Sequence, residues 1–300
     1  LRRLAYFGVL PPGDSRVRRD LERFREELKK HGFSQGTDYV LEYLWEQDIK
    51  RVPERMGALV AQKVDLIVAI TTPVALAAAR ATREVPIVFG VVSDPVGSGL
   101  VAALNRPGRN VTGVTNVLPE LSGKLLELAR EIVPGAKRIA VMWNPDNPAK
   151  VLELRELQAA AKRARVNLEE FPVRSSRDIE SALAAVSGAK STALVTLAET
   201  LTDAHRERIA QAALASRVPT VFNLTSHVRA GGLVSYSPDY SVLSRRLGDL
   251  AGRILRGSSP AVLPVEQPVR FELVVNLKTA RALGIAIPQS VLVRADEVVE

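Results

Sequence analysis

The chain has 300 residues, 46% of them hydrophobic, 25% charged and 5% aromatic, with a formal net charge of +8. That length and apolar content suit two medium domains, each with its own core. With no cysteine, thiol catalysis, cysteine-ligated metals and disulfides are excluded, and the basic excess is not a nucleic-acid signature because Lys and Arg are interleaved with Glu along helical stretches such as Arg18 to Lys30 and Arg155 to Arg165. A basic surface of this kind serves solubility or attraction to an anionic membrane face. No run reaches the ~18 apolar residues of a membrane-spanning helix. The sequence opens at Leu1 without Met, close to its first strand, as a mature protein trimmed of an export segment would.

Short apolar runs alternate with helical stretches, which predicts βαβ units and a parallel sheet in each of two lobes. Predicted strands of the first lobe are Leu4–Leu10, Tyr39–Glu46, Leu66–Ile70, Ile87–Val92 and Val111–Thr115, with helices at Ser15–Lys30, Val52–Lys63, Pro73–Thr82 and Gly97–Leu104. A helix over Glu120–Ile132 carries the chain onward. The second lobe is predicted to have strands at Arg138–Trp143, Asn167–Val173, Ala193–Leu197, Thr220–Asn223 and Leu233–Tyr236, and helices at Pro148–Arg165, Asp178–Val186, Asp203–Ser216 and Ser226–Ala230. A helix over Tyr240–Arg256, an extended stretch Val262–Val269, a strand Phe271–Asn276 and a helix Leu277–Leu283 complete the chain.

The two lobes repeat one another. Val64-Asp65-Leu66-Ile67-Val68-Ala69 matches Thr192-Ala193-Leu194-Val195-Thr196-Leu197, and Val85-Pro86-Ile87-Val88-Phe89 matches Val218-Pro219-Thr220-Val221-Phe222. The elements left over after the second lobe predict that the chain re-crosses, with residues 1–115 and 238–262 in an N-terminal lobe and 116–237 and 263–300 in a C-terminal lobe. Two Rossmann-like α/β lobes joined by several crossings make a hinge, and a cleft between lobes is where small ligands bind.

Ligands of open parallel sheets sit beyond the carboxyl ends of the strands, against helix N-termini. The candidate contacts are therefore Pro11, Thr71, Thr72, Ser93, Asp94 and Asn116 in the first lobe, and Asn144, Asn147, Glu199, Phe222, Asn223 and Tyr236 in the second. Helix N-termini suit a carboxylate, Glu199 or Asp94 could pair with an ammonium, and Phe222 and Tyr236 could form a flat apolar wall. Each polar residue also has a plainer reading: Thr72-Pro73, Asp94-Pro95 and Asn147-Pro148 are helix starts, with a cap followed by proline. Gly97-Ser98-Gly99-Leu100-Val101-Ala102 fits the dinucleotide pattern, but it follows the fourth strand rather than the first, so no nucleotide cofactor is expected. The three histidines, His31, His205 and His227, lack metal partners at ligand spacing or an obvious relay, and His227 alone could approach the cleft. No catalytic constellation, cofactor or metal is expected.

Leu66-Ile67-Val68-Ala69-Ile70-Thr71-Thr72-Pro73, Val92-Ser93-Asp94-Pro95-Val96-Gly97, Gly108-Arg109-Asn110-Val111-Thr112-Gly113-Val114, Phe271-Glu272-Leu273-Val274-Val275-Asn276-Leu277-Lys278-Thr279-Ala280 and the closing Arg294-Ala295-Asp296-Glu297-Val298-Val299-Glu300 resemble successive motifs of the bacterial ABC-transporter substrate-binding proteins that include tryptophan and tyrosine binders. The resemblance spans nearly the whole chain. It implies a type I periplasmic-binding fold, two lobes closing over a ligand, and a permease and ATPase as partners. It also implies a location in the periplasm or lipid-anchored at the cell surface. It places ligand contacts at Thr71, Thr72, Ser93 and Asn116, while in the second lobe Asn144 and Asn147 stand where members typically have small polar residues. Where amino-acid binders often have Asp-Asn after the third strand of the second lobe, this chain has Ala198-Glu199, so either Glu199 replaces the ammonium partner or the small polar ligand is of another class. A monomer is expected. A cytoplasmic sensor domain of a regulator and an enzyme on the same two-lobed scaffold are the alternatives.

Overall fold

The computed structural model describes residues 1–189 and 191–300. It divides into two compact units, Leu1–Val117 with Asp239–Val269, and Leu118–Pro238 with Arg270–Glu300. The first passage through unit one runs β1 (Arg2–Gly8), α1 (Ser15–Lys30), β2 (Tyr39–Trp45), α2 (Val52–Ala61), β3 (Leu66–Ile70), α3 (Thr72–Ala81), β4 (Ile87–Val92) and β5 (Val111–Thr115). Unit two follows as α4 (Leu118–Ile132), β6 (Arg138–Trp143), α5 (Pro148–Ala164), β7 (Asn167–Pro172), α6 (Ser176–Gly188), β8 (Ala193–Thr196), α7 (Thr200–Ala204), α8 (Arg206–Ala215), β9 (Thr220–Phe222), α9 (Thr225–Arg229) and β10 (Val234–Pro238). The chain returns to unit one as α10 (Leu243–Leu255), then to unit two as β11 (Phe271–Asn276), α11 (Leu277–Leu283), α12 (Gln289–Leu292) and β12 (Glu297–Val299).

The sheet of unit one has order β2-β1-β3-β4-β5, all parallel, and that of unit two has order β12-β11-β10-β9-β8-β6-β7, with β10–β11 the one antiparallel pair among the described residues. The duplicated sequence is thus a duplicated topology, since β7-β6-β8-β9-β10 repeats β2-β1-β3-β4-β5. Strands such as Leu66–Ile70 read as unbroken apolar runs because helices cover both faces of a parallel sheet. In unit one, alternate side chains feed opposite cores: Ala5, Phe7, Ile67 and Ala69 pack with Met56 and Val74, while Leu4, Tyr6, Leu66 and Val68 pack with Phe24 and Leu247.

Several elements differ from expectation. Residues 97–104 form turns rather than a helix, because the Asp94 side chain takes the Gly97 N–H at 2.7 Å and Gly99 has φ +72°. The helix expected over Asp203–Ser216 begins earlier and breaks at His205. The short α12 and β12 carry too little periodicity to be read in advance. The stretch 263–269, expected in the second lobe, belongs to unit one: it lies along β5, where Glu266 N–H donates to Gly113 O at 2.9 Å and Thr115 N–H to Glu266 O at 2.9 Å. No described helix is long and apolar enough to cross a membrane.

Candidate functional site

Adjacent parallel strands bring their carboxyl ends together, so in unit one the residues following β3, β4 and β5 are neighbours. Thr72, Ser93 and Asn116 are all buried there. Thr72 opens α3, and its Oγ1 accepts the Ser93 N–H at 3.3 Å. The Asn116 N–H donates to Val92 O at 3.0 Å. Thr71 sits at φ 83°, ψ 156°, a region almost reserved for glycine, with its N–H donating to Gly90 O at 2.8 Å. Its side chain makes no cap bond, and Thr72, expected as the N-cap before Pro73, is instead the first residue of the helix. Val91 and Val117 also have positive φ, at 58° and 47°. Three β-branched residues in left-handed backbone at three neighbouring strand ends are strained, and strain of this kind clusters at ligand sites. Asp94 is half-buried and closes its own turn, and Pro11 is half-buried with its carbonyl accepting the Asp14 N–H at 3.0 Å.

In unit two the carboxyl ends of β6, β8 and β9, which correspond to β1, β3 and β4 of unit one, hold a buried polar cluster. Asn144 Nδ2 donates to Glu199 Oε1 at 3.3 Å, and Asn147 caps α5 by accepting the Ala149 N–H at 3.1 Å. Glu199 caps α7 by accepting the Leu201 N–H at 3.0 Å, with Thr202 completing a capping box. Asn223 Oδ1 accepts the Ala198 N–H at 2.8 Å, while its Nδ2 donates to Glu153 Oε2 at 3.1 Å. Burial pushes the Glu199 carboxyl above the usual range, against the opposing pull of the Lys150 ammonium and of hydrogen bonds from Asn144, the Leu201 N–H and Asn147. Asn147 and Glu199 each cap a helix, as expected for Asn147, and both belong to the same buried cluster.

The aromatic residues divide. Phe222 is fully buried in the core with Met142, Leu194 and Val274, and its ring fills the space left by the missing side chain of Gly232. It therefore presents no wall. Tyr236 is half-buried and stacks on Phe271 with ring centres 5.8 Å apart. Trp143, half-buried at the end of β6, has its Nε1 buried without a hydrogen-bond partner, an unused donor. His227 is buried rather than exposed to a cleft, its ring 4.6 Å from that of Phe222. Lys150 and Glu153 escaped notice in the sequence because Lys and Glu three apart on a helix usually mark a solvated face. The available signal was a lysine in the first turn, right after the Asn147-Pro148 cap, where the helix dipole disfavours it.

Glu27, His31 and Asp249 bring three possible metal-ligand atoms within 4.8 Å of one another between α1 and α10. Both carboxylates already have cations, Lys30 at 2.7 Å from Glu27 and Arg253 at 3.9 Å from Asp249, and His31 Nε2 lies 2.9 Å from Asp249. The group is an ion-paired helix contact and is poorly suited to a metal ion.

The model of the family described as ABC transporter substrate binding protein matches residues 13–299. The chain belongs to that family. It is 30% identical over 261 residues to a tyrosine-binding protein of Clostridioides difficile, covering 87% of this chain and 75% of that one. A conserved domain protein of Vibrio cholerae superposes with a TM-score of 0.90 at 31% identity, over 99% of both chains. A domain from Streptococcus pneumoniae in complex with L-Trp superposes with a TM-score of 0.90 at 27% identity, again over 99% of both. The two duplicated α/β units of this substrate-binding protein are the type I periplasmic-binding architecture expected from its motifs.

Proposed function

We propose that this substrate-binding protein takes a zwitterionic amino acid with an aromatic side chain and delivers it to an ABC permease driven by its ATPase. The observation that carries the ligand class is Glu199, a buried carboxylate at a strand end, surrounded by amide side chains and pushed toward its neutral form by burial. An arriving ammonium would hold it ionised and form a charge-assisted hydrogen bond. In unit one, Thr72, Ser93 and the N-terminus of α3 suit the carboxylate of such a ligand, with Thr71 and Asn116 as further contacts. Trp143 and Tyr236 offer flat apolar surface for a ring. The tyrosine-binding relative and the L-Trp-bound neighbour support the same class.

Binding shifts an equilibrium toward the liganded state, which the transporter reads, and the ligand is released unchanged. The protein acts outside the cytoplasm, free in the periplasm or lipid-anchored, as a monomer. Titration calorimetry with L-tryptophan, L-tyrosine and L-phenylalanine beside their deaminated analogues tests the reading. Binding of an amino acid at least ~10-fold tighter than its analogue, the value of one hydrogen bond to a charge, is expected. Equal affinity for both would remove the ammonium from the recognition.

A further inference from the structure

Lys150 and Glu153 form an ion pair at 2.7 Å with side chains 4% and 0% exposed, one turn into α5. A buried ion pair recovers little of the free energy lost on leaving water, and a lysine at a helix N-terminus opposes the dipole, so neither stability nor helix formation accounts for it. The pair does have a direction. One Glu153 oxygen holds Lys150, and the other accepts Asn223 Nδ2 at 3.1 Å. Asn223 in turn accepts the Ala198 N–H at 2.8 Å, immediately before Glu199. Lys150 acts on Glu199 through its field but forms its ion pair with Glu153.

The charges in this cluster do not balance. Among the described residues it holds two carboxylates, Glu153 and Glu199, and one ammonium, Lys150. Neighbouring acids do not change the count: Asp146 lies 3.4 Å from Arg174, and Asp203 bonds Ser226 at 2.7 Å with Arg206 3.8 Å away. We propose that the Lys150–Glu153 pair is a specificity device, in which Glu153 engages Lys150 and fixes Asn223 and the Ala198 peptide, leaving Glu199 as the one unmatched carboxylate that selects a cationic ligand group. This rests on the reading of Glu199 as the ligand's ammonium partner. Lys150 and Glu153 are positioning residues: they set the charge Glu199 presents.

The test is a series of full-length chains: wild type, Glu153→Gln, and the double variant Lys150→Met with Glu153→Gln. Gln keeps an acceptor for Asn223, so the single variant alters charge more than shape. One readout needs no ligand: the carboxyl carbon of Glu199 is followed by NMR against pH. In Glu153→Gln its midpoint is expected to fall, because the field of Lys150 is no longer offset by Glu153. The other readout is affinity for L-tryptophan against 3-indolepropionate, the same molecule without the ammonium. Glu153→Gln is expected to reduce the preference for tryptophan about tenfold. The double variant restores one unmatched carboxylate and is expected to restore the preference. An unmoved Glu199 midpoint overturns the proposal. So does a fall in both affinities together, or a double variant no better than the single, since either marks the pair as mere support. A midpoint that moves in a protein that binds no tryptophan supports the pair's control of Glu199 and overturns only the aromatic amino-acid reading.

Discussion

Glu199 has two tasks, cap and candidate contact, and they respond differently to substitution. A carboxyl whose pKa is raised by folding stabilises the folded state fully only below its unfolded value, near the ordinary 4.5, and that contribution is lost as pH rises through the raised value. Glu199→Gln keeps an acceptor for the Leu201 N–H and has no charge to bury. It is therefore expected to raise the neutral-pH melting temperature of the ligand-free protein and to flatten its fall above pH ~4.5, as melts across pH would show. The same change is expected to weaken amino-acid binding about tenfold or more by calorimetry. Thr72→Ala removes a buried hydroxyl bonded to the Ser93 N–H and is expected to weaken binding by a similar ~10-fold; unchanged affinity would take Thr72 out of the ligand shell. At this scale the strand-end rule drew attention to Thr72, Ser93, Asn144, Glu199 and Asn223, because a parallel sheet places those positions side by side. It could not identify Lys150 and Glu153, whose burial depends on how α5 packs, nor show that Phe222 turns into the core.

At the level of elements, glycine and strained backbone explain where helices and strands meet. Helix α10 packs against α1 through Gly248 and Gly252: a Cβ on Gly252 would lie 2.4 Å from His31 Cγ, and one on Gly248 only 2.7 Å from the Glu27 Cβ. Gly252→Ala is expected to cost about 1–3 kcal/mol in urea unfolding, the usual range for overpacking a close contact. Val91 produces the register shift between Gly90 and Val92 in β4, with φ 58°. In ordinary strand geometry glycine is about 0.5–1 kcal/mol less stable than alanine, but at Val91 the order is expected to reverse, Val91→Gly exceeding Val91→Ala by about 1 kcal/mol. The periodic, strongly apolar elements were legible in advance, to within a few residues. Residues 97–104 were not, since Leu100, Val101, Ala102 and Leu104 imitate a helical stripe while Asp94 and Gly99 fold the chain into turns.

For the whole molecule, the duplication was the clearest message in the sequence, and it reappears as one strand order used twice. The chain passes between its units three times, after Val117, Pro238 and Val269. The last passage was expected several residues earlier, because the hydrogen bonding of Leu263 and Glu266 to β5 leaves no pattern in composition or periodicity. Family membership rests on a match from residue 13 to residue 299, and the ligand rests on far less of the chain, essentially the buried cluster around Glu199. The most direct test is thermal unfolding of protein refolded from denaturant, so that carried-over ligand is lost, against amino acids, nucleosides, carboxylates and sugars. A ligand at 100 times its dissociation constant stabilises by about 2.7 kcal/mol, a shift of several degrees for units of this size. That shift is expected with tryptophan, tyrosine or phenylalanine. A shift with a sugar or nucleoside and none with any amino acid would contradict that expectation.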